Sequence, residues 1–354
     1  MRRGLIVCLV LAGLLAGCQA PSSPEAALKA VDGEVIHANL RPNSPIVEVK
    51  LVDPYAACPP FLVFHYVSDR HLAPLQGLDE LKKLAILSDN VTDAGLANLA
   101  GLTTLESLDL DLEKITDAGM AELRDLTNLR ELRIVGSRIG DAGWVHLGRM
   151  NRIESLELGC WYKTTPKGLA PIAQMPALKR LKVQGISFDD DRVAVLANLT
   201  ALEQLDVPFH NLTDAGLAHL RNLTALKGLD LRTTPGAIGD SDNLLTDDGL
   251  AHLEKLTALE TLHLPRGIGD GGLAHLRGLT NLKRLSLWHT SVTDEGLLHV
   301  AALSQLELLE LPRATVTDEG VEALQQALPD LKIEIRDVWL PPLRRYVPPS
   351  PPGS

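Results

Sequence analysis

The sequence predicts an α/β solenoid, a horseshoe with a concave parallel β-sheet and short convex helices. Three observations carry this. A leucine-bearing segment recurs about every 24 residues. Within each segment apolar and polar residues alternate through LxL, the period of a strand. Each segment then passes through V/I-T-D-x-G into leucines three apart, the spacing of one helix face.

The recurrence is regular. Leu84, Leu108, Leu132 and Leu156 lie 24 residues apart, and Leu181, Leu205 and Leu229 follow at 25, 24 and 24. Leu262 comes after 33, Leu285 after 23 and Leu309 after 24. A clear unit is LESLDLDLEKITDAGMAELRDL, Leu105 to Leu126. This pattern, over roughly residues 46–335, resembles the leucine-rich-repeat family.

Each element has a local reason. In Leu108-Asp109-Leu110 both leucines face inward and the aspartate outward. Thr116 and Asp117 then precede Met120, Leu123 and Leu126, and both are residues that cap helix N-termini. The aspartates at this recurring position, Asp93, Asp117, Asp141, Asp214, Asp247, Asp270, Asp294 and Asp318, are therefore read as helix caps. Two units depart from it, with Thr165-Pro166-Lys167-Gly168 and Asp189-Asp190-Asp191-Arg192, yet both keep capping residues. Pro171, early in one helical segment, is expected to shorten it. One unit cannot bury its own leucines, whereas stacked units can, and ten array strands at about 4.8 Å each span roughly 45 Å.

The chain begins with a targeting pattern. Arg2 and Arg3 precede a 14-residue apolar run, Gly4 to Gly17, too short to span a bilayer. Leu15-Ala16-Gly17-Cys18 resembles the lipobox of bacterial lipoproteins, which implies lipidation of Cys18. The expected organisation is a signal peptide over 1–17 and a lipid-anchored tether over 18–31. An N-terminal cap with an inserted loop follows over 32–66, then the array over 67–335 and a disordered Pro-rich tail over 336–354. Gln19, where an aspartate would favour inner-membrane retention, points to the outer membrane in a cell that has one. The expected location is the cell envelope, on the outer membrane or a periplasmic or extracellular face.

Composition narrows the function. The net charge is −11, and about −13 after loss of the signal, which argues against nucleic-acid binding through the phosphate backbone. Cys58 and Cys160 are the cysteines left for a disulfide, which the sequence neither requires nor excludes. No HExxH, GxSxG or phosphate-binding loop occurs, so no catalytic residue, cofactor or metal is assigned. His219, His252, His275 and His299 share one helix slot in four successive units, a spacing that the repeat explains without a metal. Gly239-Asp240-Ser241-Asp242-Asn243 offers oxygen ligands but lacks the full calcium-loop pattern, and is read as a surface loop.

The outward strand positions form rows across the sheet. Asp109, Arg133, Glu157, Lys182 and Asp206 alternate in sign and are expected to pair with each other. The C-terminal half breaks this alternation, with Asp230, His263 and Ser286 beside Arg232, Arg284 and Trp288, and with Arg266, His289 and Arg313 at the strand exits. An exposed Trp288 in a chain with only 3 % aromatic residues is the first candidate, because tryptophan and arginine dominate binding hot spots. The expected partner-binding set is Trp288, Arg284, His263, His289, Arg232 and Arg266, with Cys160-Trp161-Tyr162 as a second, weaker candidate. The resemblance implies a non-enzymatic envelope lipoprotein that binds a protein or peptide ligand and reaches the membrane through its N-terminal lipid. A rigid envelope spacer, and carbohydrate or peptidoglycan binding through exposed tryptophan, are the alternatives.

Overall fold

The computed structural model describes residues 34–37, 46–52, 67–160, 164–232 and 244–336. The lipobox with Cys18, the loop with Cys58, the side chain of Cys160, Trp161-Tyr162, the 239–243 insert and the C-terminal tail lie outside what is described.

Thirteen strands form one sheet in strict sequence order. They are β1 (Glu34–His37), β2 (Ile46–Val52), β3 (Lys83–Leu87), β4 (Ser107–Asp111), β5 (Glu131–Ser137), β6 (Ser155–Cys160) and β7 (Arg180–Gln184). Then come β8 (Gln204–Asp206), β9 (Gly228–Asp230), β10 (Thr261–His263), β11 (Arg284–Ser286), β12 (Leu308–Pro312) and β13 (Lys332–Arg336). β1 pairs antiparallel with β2. From β2 onward every pairing is parallel. The ten array strands lie where the leucine spacing places them, flanked by β1, β2 and β13. The middle leucines stand opposite one another, Leu84↔Leu108, Leu108↔Leu132 and Leu132↔Leu156. A one-residue slip would turn every leucine outward, so burial fixes the register.

The convex side carries short helices: α1 (Asp93–Leu96), α2 (Asp117–Glu122), α3 (Asp141–Trp144), α4 (Pro166–Leu169), α5 (Asp190–Ala194), α6 (Asp214–Leu217), α7 (Asp270–Ala274), α8 (Asp294–Val300) and α9 (Asp318–Ala327). Several continue as a tighter 3₁₀ turn. Leucines from the strands and from the turns after the helices, such as Leu108, Leu110, Leu123 and Leu126, are buried in one continuous core. In α3 a tryptophan, Trp144, takes a leucine's place, and its buried indole N–H is satisfied by Thr164 Oγ1 at 3.1 Å. Pro171 is not what limits its helix. α4 has four residues, as do α1, α3 and α6, which have no proline there. The repeat itself sets the length.

The structure corrects the role of the recurring aspartates. All but Asp318, which stands on the last described helix and meets Arg313, turn away from their own helix and bind the start of the next. Asp93 Oδ1 accepts the Thr116 backbone N–H at 2.8 Å and Oδ2 accepts the Thr116 hydroxyl at 2.6 Å. Asp69 does the same to Thr92, Asp141 to Thr165, Asp190 to Thr213, Asp214 to Thr246, Asp270 to Thr293 and Asp294 to Thr317. Asp117 and Asp247 meet Gly140 and Gly269 instead and bind only the backbone N–H. Where a threonine stands at the N-cap its hydroxyl can be the capping atom, as where Thr116 accepts from Ala118 N at 3.3 Å, and in the deviant unit Asp189 caps through Arg192 N at 3.1 Å. The motif's glycine belongs to the same device, because a Cβ on Gly119 would run into the Asp93 carboxylate.

Candidate partner-binding surface

The concave face is lined by the outward residues of the strands. Its N-terminal half neutralises itself, as the alternating row predicts. Arg133 binds Asp109 at 2.8 Å and Asp111 at 3.1 Å, and lies 3.6 Å from Glu157. Lys182 closes on Glu157 from the next strand at 3.1 Å.

A second alternating row went unread in the sequence. The residue two before each middle leucine is Lys82, Glu106, Arg130, Glu154, Lys179, Glu203, Lys227, Glu260, Lys283 and Glu307, with the sign changing at every step. Contacts include Lys82–Glu106 at 3.1 Å, Arg130–Glu154 at 2.6 Å, Lys179–Glu154 at 2.9 Å, Lys227–Glu203 at 2.6 Å and Lys283–Glu260 at 2.7 Å. Hydrogen bonds from Lys179 and then Arg130 pull the Glu154 carboxyl below its ordinary value. Reading the repeats in columns would have found this row.

The C-terminal half is organised differently, and the candidate residues fall into two groups. Arg232 and His263 converge on Asp230. Arg232 donates Nε to Oδ1 at 2.9 Å and Nη2 to Oδ2 at 2.6 Å, and its backbone N–H reaches Oδ1 at 3.0 Å. His263 Nδ1 lies 3.2 Å from Oδ2 across the strand pair. Burial opposes ionisation of Asp230, but the hydrogen bonds from His263 and Arg232 outweigh it and hold the carboxyl far below its ordinary range. Arg232 is therefore a clamped side chain.

The second group is Trp288 and His289. They are the central residues of a turn that leaves β11, closed by Thr290 N–H to Leu287 O at 3.0 Å and by the Thr290 hydroxyl to the same oxygen at 2.7 Å. Their rings stack with centroids 4.8 Å apart at 26°. Trp288 is half-buried, which corrects the expectation of an exposed ring. In the neighbouring repeats the sequence positions that correspond to Trp288 are Pro265 and Pro312, both buried. The two stacked rings form a small aromatic shelf at the strand exit. Arg284 and Arg266 are exposed beside it, and among the described residues neither forms an ion pair. Arg313 is drawn off to Asp318 at 3.3 Å.

Other candidate chemistry is bland. On the convex side His275 meets Glu254 at 2.7 Å and His299 accepts from Arg277 at 3.0 Å. No group of three or more His, Cys, Asp or Glu able to hold a metal occurs among the described residues. No helix among them is long and apolar enough to cross a membrane.

No protein-family model and no curated protein matches the chain. Solved structures do. An internalin (inlF) from Listeria monocytogenes superposes with a TM-score of 0.60 at 22 % identity, over 89 % of this chain and 90 % of that one. This is a leucine-rich-repeat fold. The leucine-rich-repeat chain is also similar to the Arabidopsis receptor kinase HAESA, solved in complex with the peptide hormone IDA and the co-receptor SERK1. There the TM-score is 0.53 at 21 % identity, over 84 % of this chain but only 46 % of HAESA.

Proposed function

We propose that this leucine-rich-repeat chain is a non-enzymatic binding protein that receives a protein or peptide partner on the C-terminal half of its concave face. A lipid on Cys18 would hold it in the cell envelope. The observation that carries the reading is the Trp288–His289 shelf. It stands where the row that begins at Asp109 loses its alternation, and its two aromatic rings are fixed by a hydrogen-bonded turn rather than left on a free strand. A rigid, half-buried aromatic beside exposed Arg284 and Arg266 presents contact area at small entropic cost, the character of a hot spot. HAESA, of the same fold, is in complex with a peptide hormone, which supports the class of ligand. Stacking on a sugar ring is less well served, because His289 already lies against one face of the Trp288 indole. The N-terminal half, already paired within itself, is read as structural.

The test is photocrosslinking in intact cells with a photoreactive residue at position 288, compared with one at convex position 252. A discrete partner captured from 288 alone supports the reading. Equal, unselective capture from both positions favours a rigid spacer.

A further inference from the structure

A second surface lies on the convex side, away from the Trp288–His289 shelf. α8 and α9 have seven and ten residues, whereas the other convex α-helices described have four to six. Two neighbouring helices of about two turns or more thus lie side by side here, and a groove opens between them. Its volume is about 340 Å³, room for a few apolar side chains. Leu297, Leu298, Ala301, Ala323, Leu324 and Ala327 make most of its wall.

The array supplies its own reference for what is unusual here. In the slot of Leu298, seven of the ten repeats carry alanine, from Ala97 to Ala274. Leu298 is 71 % exposed, so its larger side chain adds little to the core. A single exposed leucine is ordinary, but one at the lip of an apolar groove extends that groove. The slot after the bridging aspartate holds Glu295 and then Glu319 in two successive repeats. Glu295 lines the groove, and Glu319, one helical turn before Ala323, borders it on α9. Each suits the dipole of its own helix. Together they set like charge beside like charge, where the row from Lys82 to Glu307 alternates in sign at every step. Among the described residues neither glutamate forms an ion pair, and no lysine or arginine lines the groove. Arg277 and Arg313, which reach these helices, are committed to His299 and Asp318.

We propose that the α8–α9 groove receives a short amphipathic helix of another protein, with apolar residues three or four apart against Leu298 and Ala323 and a lysine or arginine beside Glu295 and Glu319. The apolar wall takes the apolar face, and the uncompensated acidic lip selects the cationic flank. The ten residues of α9, about 15 Å long, match two to three turns of such a helix. This surface lies on the opposite side of the sheet from the shelf and stands or falls without it.

The experiment uses the full chain in detergent and a fluorescent synthetic helix of about 14 residues, leucines on one face and lysines on the other, read by anisotropy. A matched peptide carries glutamate for every lysine. The lysine peptide should bind, and Leu298→Ala should weaken it at least about tenfold. Glu295→Gln with Glu319→Gln should weaken it about three- to tenfold at low salt. Asp191→Asn with Asp248→Asn removes the same charge from the same slot of two other repeats, and should leave binding within about twofold. All five side chains are exposed, so the array keeps its packing. Equal binding of the glutamate peptide, indifference to Leu298→Ala, or equal damage from the two acid pairs would each overturn the proposal, the last by showing attraction to the acidic chain as a whole. Self-association that Leu298→Ala abolishes, with peptide binding unchanged, would make the occupant a second copy and overturn it too.

Discussion

Arg192 stands where the neighbouring repeats carry the motif glycine, and Pro166 stands one repeat earlier where they carry the bridging aspartate. The two departures explain each other. In the regular repeats the carboxylate of one unit fills the space over the glycine of the next, as Asp141 does over Gly168 and Asp190 over Gly216. With proline at 166 no carboxylate arrives, so position 192 is free to hold a long side chain. Arg192 uses that room to bind Asp189 at 2.8 Å and to reach back to the Thr164 carbonyl at 3.2 Å, joining the two units by another route.

Within the regular ladder, aspartate and glycine should behave as a coupled pair. Asp93→Ala removes both bonds to Thr116 and is expected to cost about 1–3 kcal/mol, measured as a lower denaturation midpoint in urea. Gly119→Ala forces its Cβ into the same carboxylate and should cost a similar amount. The double variant should lose clearly less than the sum, because the alanine methyl no longer meets a carboxylate. Strict additivity would show that the two residues act independently.

At the exceptional step, Arg192→Gly alone should destabilise the chain, since it removes the link to Thr164 and restores nothing. Combining it with Pro166→Asp and Asp189→Thr rebuilds the regular ladder and should recover the loss, by about 1–2 kcal/mol. Hydrogen exchange at the α4 and α5 amides is the local readout. A triple variant no better than Arg192→Gly would mean that the two repeats are offset in a way that side chains cannot bridge.

What was legible in the sequence was whatever repeats within one unit. Leu108 and Leu110 face the core because alternation and recurrence agree, and all ten array strands follow from that. What escaped lay between units. Thr116 does cap its own helix, but Asp117 read as a second local cap because its partner, Gly140, is 23 residues away, and only the stacked structure sets Asp93 beside Thr116. The alternation from Lys82 to Glu307 was equally present, but it emerges only down a column. Trp288 was read as exposed because strand alternation points it outward, whereas the ring is half-buried at the Leu287–Thr290 turn. Arg232 and His263 were found as candidates without Asp230 being recognised as what gathers them.

The Asp230 cluster makes a prediction about pH. Its carboxyl lies well below the ordinary value of 3.8, because the hydrogen bonds from His263 and Arg232 overcome the opposing effect of burial. A carboxylate held low in the folded state contributes stability that is fully present above its unfolded value. That contribution is lost only as pH falls through the lowered folded value. Carboxyl ¹³C titration should therefore show Asp230 still ionised at pH values where ordinary aspartates have taken up a proton. Since the side chain is 48 % exposed, Asp230→Asn should cost no more than about 1 kcal/mol at neutral pH. A titration midpoint at the ordinary aspartate value would contradict the geometry of the cluster.

The alternating row leads to a test of sign. Lys227 lies between Glu203 and Glu260, binding the first at 2.6 Å and drawn electrostatically by the second. Lys227→Ala removes an exposed pair and should change stability by less than about 1 kcal/mol. Lys227→Glu instead sets three carboxylates in succession along a line of backbone hydrogen bonds that fixes their spacing, Lys227 N–H to Glu203 O at 2.8 Å and Glu260 N–H to Lys227 O at 2.7 Å. The side chains can bend away but the strands cannot separate, so repulsion replaces attraction, and the cost should exceed that of alanine by up to about 1 kcal/mol at low salt. In 1 M salt the screening length falls to about 3 Å and the gap between the two variants should close, while their common loss of packing persists. Urea midpoints for both variants at low and high salt decide it. A glutamate variant no worse than alanine at low salt would show that the alternation fixes no preference between neighbouring repeats.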